Sequence, residues 1–345
     1  MKKGNKYGTH RVIRPENTLP QAAEVISNDM DIYDNEILID VEALNIDSAS
    51  FRQLYEESDG DLERMKSRIF SIVQKSGKMK NPVTGSGGVL IGKVAQLGDS
   101  LRNHSDLEVG DRLVTLVSLS LTPLKLERIL EIHPGIDRVD VEGKAILFEN
   151  TLYSTLPDDM PENVVMAVLD VAGAPAQTAK MTHPGDYVLI LGAGGKSGIL
   201  CAYEARKRVG PTGLVVGIEK DEKNARRLEA LGFCHKIIIG DAQNAIEIMN
   251  KALEASGGQE YDLSINCLNV PNCEMSCILP VRDKGLVYFF SMATSFTKAA
   301  LGTEGVAKDI TMIVGNGYTK GHAKIALEEL RESPKLMAFF EETYV

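Results

Sequence analysis

The chain has 345 residues, 43% of them hydrophobic and 25% charged, which suits two folded domains with a sizeable core. Its formal net charge of −10 disfavours nucleic acid and anionic membranes as partners. No apolar run approaches the length of a membrane span, and the basic first residues lack the apolar core of a signal peptide. We therefore expect a cytoplasmic protein whose five cysteines are reduced thiols.

The first half of the chain has the apolar alternation of a β-rich domain. The predicted strands, separated by glycine and aspartate turns, are residues 36–46, 87–98 and 109–121. Between the first two strands, residues 48–77 have helical spacing with a polar break at 59–61. We predict a β-rich domain over residues 1–155, which includes an N-terminal extension.

The character of the sequence changes near Pro161, where strand and helix patterns begin to alternate. Residues 161–182 are predicted to form one long connecting helix, with the proline in its first turn. From residue 187 to residue 291, short apolar runs alternate with helical segments. This alternation indicates βαβ units and a doubly wound parallel sheet of the Rossmann type. We assign this domain to residues 156–325 and a C-terminal segment to 326–345.

A glycine-rich turn follows the first strand of this second domain, in the sequence VLILGAGGKSG. Its spacing is GxxGxxG, because Ser197 stands where a strict GxGxxG would need glycine. Such a turn lets the backbone approach a pyrophosphate, and the helix that follows supplies free N–H groups and a positive dipole. The predicted cofactor-binding residues of this turn are Gly192, Gly194, Gly195, Lys196, Ser197 and Gly198.

The next predicted strand ends at Glu219, 21 residues after Gly198. A carboxylate at this place can hydrogen-bond the adenosine ribose and repel a 2′-phosphate, so we predict NAD as the cofactor. Lys220, which we also assign to the cofactor site, and the nearby Arg226 and Arg227 weaken that discrimination and leave NADP open. The alternative for the whole region is a glycine-rich turn that binds no ligand.

These segments resemble the medium-chain dehydrogenase/reductase superfamily over nearly the whole chain. Residues 35–51 resemble the first strand of its catalytic domain and the zinc-ligand loop after it, and residues 82–116 resemble the segment that carries Gly-His-Glu in zinc-dependent members. Residues 184–198 resemble the cofactor loop, and residues 309–330 resemble the end of the fold. The resemblance implies a GroES-like catalytic domain followed by a Rossmann domain.

The same resemblance identifies the positions that hold zinc in many members of the superfamily. Asp47, Ser86 and Asp170 occupy them here, and Ser86 lies in Gly-Ser-Gly where Gly-His-Glu would supply an imidazole. This set lacks the nitrogen and sulfur ligands that zinc favours, so we expect a member without metal. A magnesium or calcium site built from the two aspartates is the alternative.

The chain length, the extension before residue 35 and the early C-terminus resemble the superfamily members that oxidise amino acids in lysine fermentation. This resemblance implies NAD-dependent oxidative deamination at the 3-amino group of a small cationic amino acid. The superfamily also implies a homo-oligomer, either a dimer or a tetramer. Two alternatives stay open, a zinc-independent quinone or enoyl reductase that uses NADPH and a dinucleotide-binding protein without catalytic activity.

If the zinc-ligand positions carry over, Asp47 and Asp170 both face the nicotinamide. An amine can release hydride from its carbon only in its neutral form, so a base must first remove a proton. A carboxylate whose pKa is raised by burial or by a like charge can do this. We assign Asp170 as this base and Asp47 as a second contact to the ammonium group. The alternatives are a helix cap for Asp47 and, for Asp170, an ion pair with a buried lysine or arginine.

Five further residues complete the predicted site. Ser86 is expected to hydrogen-bond substrate or water, and Arg52 is expected to bind the substrate carboxylate unless it lies on a solvated helix face. The carboxyl ends of parallel strands are where dinucleotides bind. The residues after two such predicted strands, assigned to the nicotinamide side, are Asn266, Cys267 and Ser291.

Overall fold

Residues 1–102, 107–315 and 317–344 are described by a computed structural model of the chain. The chain divides into two units, Met1–Asp158 and Asp159–Val345. The predicted α/β class is confirmed, because one unit contains an antiparallel β-sheet and the other a parallel sheet flanked by helices. No helix among these residues combines the length and the apolar character needed to cross a membrane.

The first unit is built around a six-stranded antiparallel sheet. Its described strands and α-helices are β1 (Val12–Arg14), β2 (Val25–Ile26), β3 (Glu36–Asn45), α1 (Ser48–Glu57), α2 (Leu62–Ser76), β4 (Val89–Leu97), β5 (Arg112–Thr115), β6 (Leu124–His133), β7 (Arg138–Phe148) and β8 (Tyr153–Thr155). The order in the sheet is β6-β7-β3-β4-β5-β8. Alternate residues of the central strand β3 (Ile37, Ile39 and Val41) are buried in the core, as the period of two in a strand requires.

The predicted polar break between the two helices of this unit is present. Asp59 and Gly60 both have positive φ angles, of 53° and 73°. Asp61 then caps α2, since its carboxylate accepts hydrogen bonds from the N–H groups of Glu63 and Arg64. The break therefore ends α1 and begins α2 within four residues, 58–61.

The N-terminal extension is attached to this unit by two buried cations. Arg11 forms an ion pair with Glu36, with Nη2 2.6 Å from Oε2. Lys78 is fully buried and donates hydrogen bonds to the carbonyl oxygens of Pro20 (2.5 Å) and Ala23 (2.7 Å). Burial, with Lys80 nearby, lowers the pKa of Lys78 to about 8. The extension is thus part of the folded unit.

The second unit contains a six-stranded parallel sheet. Its described elements are α3 (Glu162–Leu169), α4 (Gly173–Met181), β9 (Tyr187–Leu191), α5 (Lys196–Val209), β10 (Leu214–Glu219), α6 (Glu222–Leu231), β11 (Lys236–Ile239), α7 (Ala245–Ala255), β12 (Tyr261–Asn266), α8 (Glu274–Ile278), β13 (Val281–Phe289), α9 (Phe296–Gly305), β14 (Thr311–Val314), α10 (His322–Glu332) and α11 (Pro334–Tyr344). The strand order is β11-β10-β9-β12-β13-β14. Successive strands are added on one side of β9 as far as β11 and then on its other side from β12 onward, so the order reverses between β9 and β12. In such sheets, ligands bind outside the carboxyl ends of the strands at that reversal.

The prediction of one long connecting helix over residues 161–182 is wrong. Two helices, α3 and α4, occupy this segment, and Asp170 follows the last residue of α3. Pro175 explains the break, because a proline in a helix interior clashes with the preceding turn and lacks an N–H group. It is tolerated in the first turn, which is where it lies in α4.

Two glutamates are buried side by side between α5 and α10. Glu204 and Glu329 are each 1% exposed. Glu204 accepts a hydrogen bond from Nε of Arg208 at 2.5 Å, whereas neither carboxyl oxygen of Glu329 has a partner among the described side chains and backbone. Burial and the negative charge of Glu204 hold the pKa of Glu329 well above its usual range. This environment therefore favours the neutral form of Glu329.

Glu329→Gln should remove a pH dependence of stability. In the native state Glu329 keeps its proton above pH 4.5, where the unfolded carboxyl releases it. The wild-type free energy of unfolding therefore falls as pH rises from that value towards the folded-state pKa. The variant should match wild type near pH 4 and exceed it at pH 8 by on the order of 1 kcal/mol or more.

Urea unfolding at a series of pH values measures this difference. Glu341→Gln, at an exposed position on α11, is the control and should follow the wild-type profile. Parallel profiles for Glu329→Gln and wild type would mean that Glu329 is ionised in the native protein.

Candidate functional site

The glycine-rich turn of the second unit lies at the strand reversal, between β9 and α5. Gly192 has a φ of +75°, and a Cβ at Gly198 would lie only 2.1 Å from the carbonyl oxygen of Gly192. Only residues without side chains allow this approach, so α5 begins directly at the carboxyl end of β9. The glycine positions predicted from the sequence are thus the ones that shape the turn.

The start of α5 has the properties of an anion-binding site. Gly195 is the N-cap and provides no side-chain hydrogen bond to the first-turn N–H groups. A Cβ at Gly195 would meet nothing closer than 3.5 Å. Lys196 and Ser197 follow as the first helical residues, so their N–H groups and the helix dipole are available to a pyrophosphate. These residues fit a dinucleotide.

Glu219 ends β10 and contacts the same turn. One carboxylate oxygen accepts a hydrogen bond from the N–H of Gly194 at 3.0 Å. The other accepts hydrogen bonds from the N–H groups of Lys220 and Asp221, at 2.9 and 3.2 Å. The carboxylate is therefore held in a fixed position at the edge of the turn. There its remaining lone pairs can accept hydrogen bonds from ribose hydroxyls.

The three cations near Glu219 each have another partner. Lys220 is paired with Asp241, with 2.6 Å between Nζ and Oδ2. Arg226 is paired with Glu222 at 3.2 Å. The Arg227 guanidinium lies 5.2 Å from the centre of the Phe339 ring. A 2′-phosphate would therefore have to break existing contacts to recruit any of them.

The residues predicted on the nicotinamide side lie at the carboxyl ends of β12 and β13, next to the glycine-rich turn. Asn266 is paired with Leu191 in the sheet, and the N–H of Cys267 donates to the Leu191 carbonyl at 3.0 Å. The N–H of Ser291 donates to the carbonyl of Asn266 at 3.2 Å. Asn266, Cys267 and the turn are therefore neighbours at one edge of the sheet, with Ser291 beside them.

Asp170 does not have the buried environment on which its assignment as a base partly depended. Its side chain is 66% exposed, and Oδ2 lies 2.6 Å from Nζ of Lys196. The alternative of an ion pair with a buried cation is found in part, because Asp170 pairs with Lys196 of the glycine-rich turn, whose side chain is 26% exposed. This pair places Asp170 beside the glycine-rich turn. Its assignment as a base stays a prediction.

Asp47, in the first unit, is the N-cap of α1. Its Oδ1 accepts a hydrogen bond from the N–H of Ser50 at 3.0 Å, so the predicted alternative of a helix cap is found. Its Oδ2 is buried and has no hydrogen-bond partner within the described parts of the chain. An unpaired buried carboxylate oxygen is costly. Capping therefore uses one oxygen of this carboxylate and leaves the other without a hydrogen-bond partner among the described residues.

The second glycine-rich loop, which contains Ser86, packs against the turn that carries Asp47. Gly88 has a φ of +81°, and a Cβ there would lie 2.0 Å from the carbonyl oxygen of Asn45 and 2.8 Å from the Asp47 nitrogen. Its glycines therefore permit backbone contact, and the loop leads into strand β4 and not into a helix that could bind phosphate. Ser86 itself is half-buried.

Arg52 is on the exposed face of α1. This position agrees with the alternative of a solvated helix arginine, and its predicted role with the substrate carboxylate stays a prediction. One cluster of three potential metal ligands is found among the described residues, and it consists of Glu131, His133 and Asp140. It includes none of the residues at the positions that hold zinc in other members of the superfamily. In that cluster Asp140 already accepts hydrogen bonds from His133 and Arg138, each at 2.7 Å.

Two residues that organise these sites were not identified from the sequence. Asn81 is fully buried at the start of the Ser86 loop, accepts from the N–H of Val83 and donates to Gln53, each at 2.8 Å. The dipeptide Asn-Pro is a turn signal that could have drawn attention to it. Tyr344 ends α11 with its ring centre 5.9 Å from Nζ of Lys196, and no local pattern indicates this contact.

Comparison with known proteins identifies the family. Residues 10–157 match the family model of the L-erythro-3,5-diaminohexanoate dehydrogenase N-terminal domain. The L-erythro-3,5-diaminohexanoate dehydrogenase of Acetoanaerobium sticklandii is 60% identical over 343 residues, covering 99% of this chain and 100% of that protein. The protein of the same name from Fusobacterium nucleatum subsp. nucleatum is 60% identical over 345 residues, covering 100% of both.

The solved structures share the fold at much lower identity. A mycobacterial quinone oxidoreductase aligns with a TM-score of 0.54 and 14% identity, covering 94% of this chain and 87% of that protein. The expectation of an amino-acid dehydrogenase is confirmed by the two relatives, which match from end to end. The chain belongs to the family of L-erythro-3,5-diaminohexanoate dehydrogenases, oxidoreductases that act on CH–NH2 donors.

Proposed function

We propose that the protein catalyses the NAD-dependent oxidative deamination of L-erythro-3,5-diaminohexanoate at its 3-amino group. The substrate, NAD and water are converted to 5-amino-3-oxohexanoate, ammonium, NADH and a proton. The observation that carries this proposal is the 60% identity, over essentially the whole chain, to two proteins named for this reaction. The geometry of the glycine-rich turn and of Asp47 supports it.

The choice of NAD is supported by the surroundings of Glu219. When bound, NAD supplies the acceptor for the hydride that leaves the substrate carbon. The N–H groups at the start of α5 would bind its pyrophosphate. The fixed Glu219 carboxylate would accept hydrogen bonds from the ribose hydroxyls. The same carboxylate repels a 2′-phosphate.

Asp47 is our candidate for the group that receives the substrate ammonium. Its free Oδ2 can accept a hydrogen bond from the ammonium and then its proton, which gives the neutral amine that hydride release requires. Its Oδ1 stays on the N–H of Ser50, so the carboxylate is already oriented by α1. We prefer Asp47 to Asp170 for this step, because Asp170 would first have to leave Lys196.

The reaction is proposed to need no zinc. Asp47 and Ser86 offer only oxygen atoms at positions where zinc-dependent relatives in the superfamily have sulfur and nitrogen ligands. We also propose that the protein functions in the cytoplasm, which agrees with five free cysteines.

We further propose that the protein is a homo-oligomer that associates through β14. This strand pairs with β13 on one side and with no strand of the described residues on the other. Val314 on this edge is 60% exposed, and Phe296 and Leu301 of α9 are also exposed. An unpaired edge strand with an exposed apolar residue favours pairing with a second copy.

The first test is NADH formation by purified, chelator-treated protein supplied with NAD and L-erythro-3,5-diaminohexanoate. Turnover that survives chelation supports the proposal. A protein that is inactive in this assay but oxidises NADPH with quinones or enones would instead be a reductase. This is the second candidate, because the chain shares the fold of a quinone oxidoreductase.

Asp47→Asn should lower kcat/KM about 100-fold or more, because asparagine cannot accept the substrate proton. Asparagine is as good an N-cap as aspartate, so α1 should remain intact. Asp61→Asn makes the same change at the N-cap of α2 and should leave kcat/KM near the wild-type value. Equal activity of the two variants would reduce Asp47 to a helix cap.

Glu219→Gln should shift the cofactor preference towards NADP. The amide keeps the side-chain shape and removes the charge that repels a 2′-phosphate, so the ratio of kcat/KM for NAD to that for NADP should fall about tenfold. Steady-state rates with both cofactors measure the ratio. Glu229→Gln, at an exposed position on α6, is the control, and an unchanged ratio in Glu219→Gln would contradict the role given to this carboxylate.

Sedimentation velocity should find the wild-type protein as a dimer or tetramer, and Val314→Lys should shift it to smaller species. A lysine on an edge strand blocks pairing with another chain. Ile239→Lys makes the same change on β11, at the opposite edge of the sheet, and should leave the assembly intact. A monomeric wild-type protein would contradict the proposal.

A further inference from the structure

Lys196 is held between two groups at the start of α5. Its Nζ lies 2.6 Å from Oδ2 of Asp170 and 5.9 Å from the centre of the Tyr344 ring. Lys196 is the first residue of α5, so its ammonium belongs to the same helix end as the N–H groups available to an anion. The Lys196 side chain is 26% exposed and that of Asp170 is 66% exposed.

The carboxylate and a dinucleotide pyrophosphate would compete for this ammonium. Both are anions, and a pyrophosphate on the first turn of α5 would come near the Lys196 ammonium, which is already paired with Asp170. An ion pair this exposed is weakly held, because water and salt screen it. It can therefore be exchanged for a pyrophosphate and re-formed when the dinucleotide leaves. The Tyr344 ring attracts the ammonium without neutralising its charge.

We propose that Asp170 is a positioning residue that competes with the dinucleotide pyrophosphate for Lys196 and so accelerates release of the reduced cofactor. This inference rests on the proposed function, since it needs a bound nicotinamide dinucleotide. Asp170 acts through Lys196 and makes no contact with the reacting carbon of the substrate. Product release limits kcat in many enzymes. If Asp170 pairs again with Lys196 as NADH leaves, release of NADH becomes faster.

The experiment measures NADH binding to the full-length protein by fluorescence titration and NADH dissociation by stopped flow. Asp170→Asn should bind NADH about three- to tenfold more tightly and release it correspondingly more slowly. Lys196→Gln should bind NADH at least threefold more weakly than wild type, because the cation is lost and the Asp170 charge remains. The double variant should bind more tightly than Lys196→Gln, since the uncompensated carboxylate is gone.

Two controls locate the effect at the pyrophosphate. Glu260→Gln breaks an ion pair with Lys308 of the same 2.6 Å length, just before the amino end of β12, and should leave NADH affinity unchanged. Adenosine, which has no phosphate, should show no difference between Asp170→Asn and wild type. Added salt should reduce the difference in NADH affinity between Asp170→Asn and wild type.

Single-turnover kinetics separate this role from that of a base. With NAD and substrate bound, Asp170→Asn should retain the wild-type rate of hydride transfer while its steady-state kcat falls with NADH release. Loss of the single-turnover rate with unchanged NADH affinity would overturn the inference and make Asp170 the base. Unchanged NADH affinity in Lys196→Gln would also overturn it. A wild-type protein that binds neither NAD nor NADH would instead refute the proposed function.

Discussion

The contact between Gly198 and the carbonyl oxygen of Gly192 is the constraint on which the arrangement of the second unit depends. It lets α5 begin where β9 ends, so that the uncapped N–H groups of a helix lie at the edge of a sheet. The neighbouring strands then bring Glu219 to one side of the turn and Asn266 to the other. Any side chain at Gly198 would clash with this carbonyl oxygen and push the start of α5 away from the turn.

The first unit uses the same property of glycine for another purpose. There, Gly88 allows the Ser86 loop to touch the backbone of the turn between Asn45 and Asp47. This loop packs against the turn that carries the Asp47 carboxylate. Two glycine-rich segments in one chain thus have different chemistry, because one precedes a helix and the other precedes a strand.

Much of the fold could be predicted from the sequence, because period-two and helical patterns report directly on which faces are buried. The glycine-rich turn and Glu219 were predictable for the same reason, since strand, turn and helix are contiguous. The connecting helix was misjudged although Pro175 carries the signal for a second start. The pairing of Asp170 with Lys196, 26 residues apart, and that of Glu204 with Glu329 depend on tertiary packing. No local pattern encodes such contacts.

The buried Lys78 has a practical consequence for protein engineering. Its ammonium group donates hydrogen bonds to backbone carbonyl oxygens of residues 20–23. Lys78 also lies three residues before Asn81, which organises the Ser86 loop. Shortening the chain past Arg11 and the following turn would strand Lys78 and Glu36 in the interior without their partners. Deletion of residues 11–23 is therefore expected to destabilise the first unit, and an affinity tag should leave these residues in place.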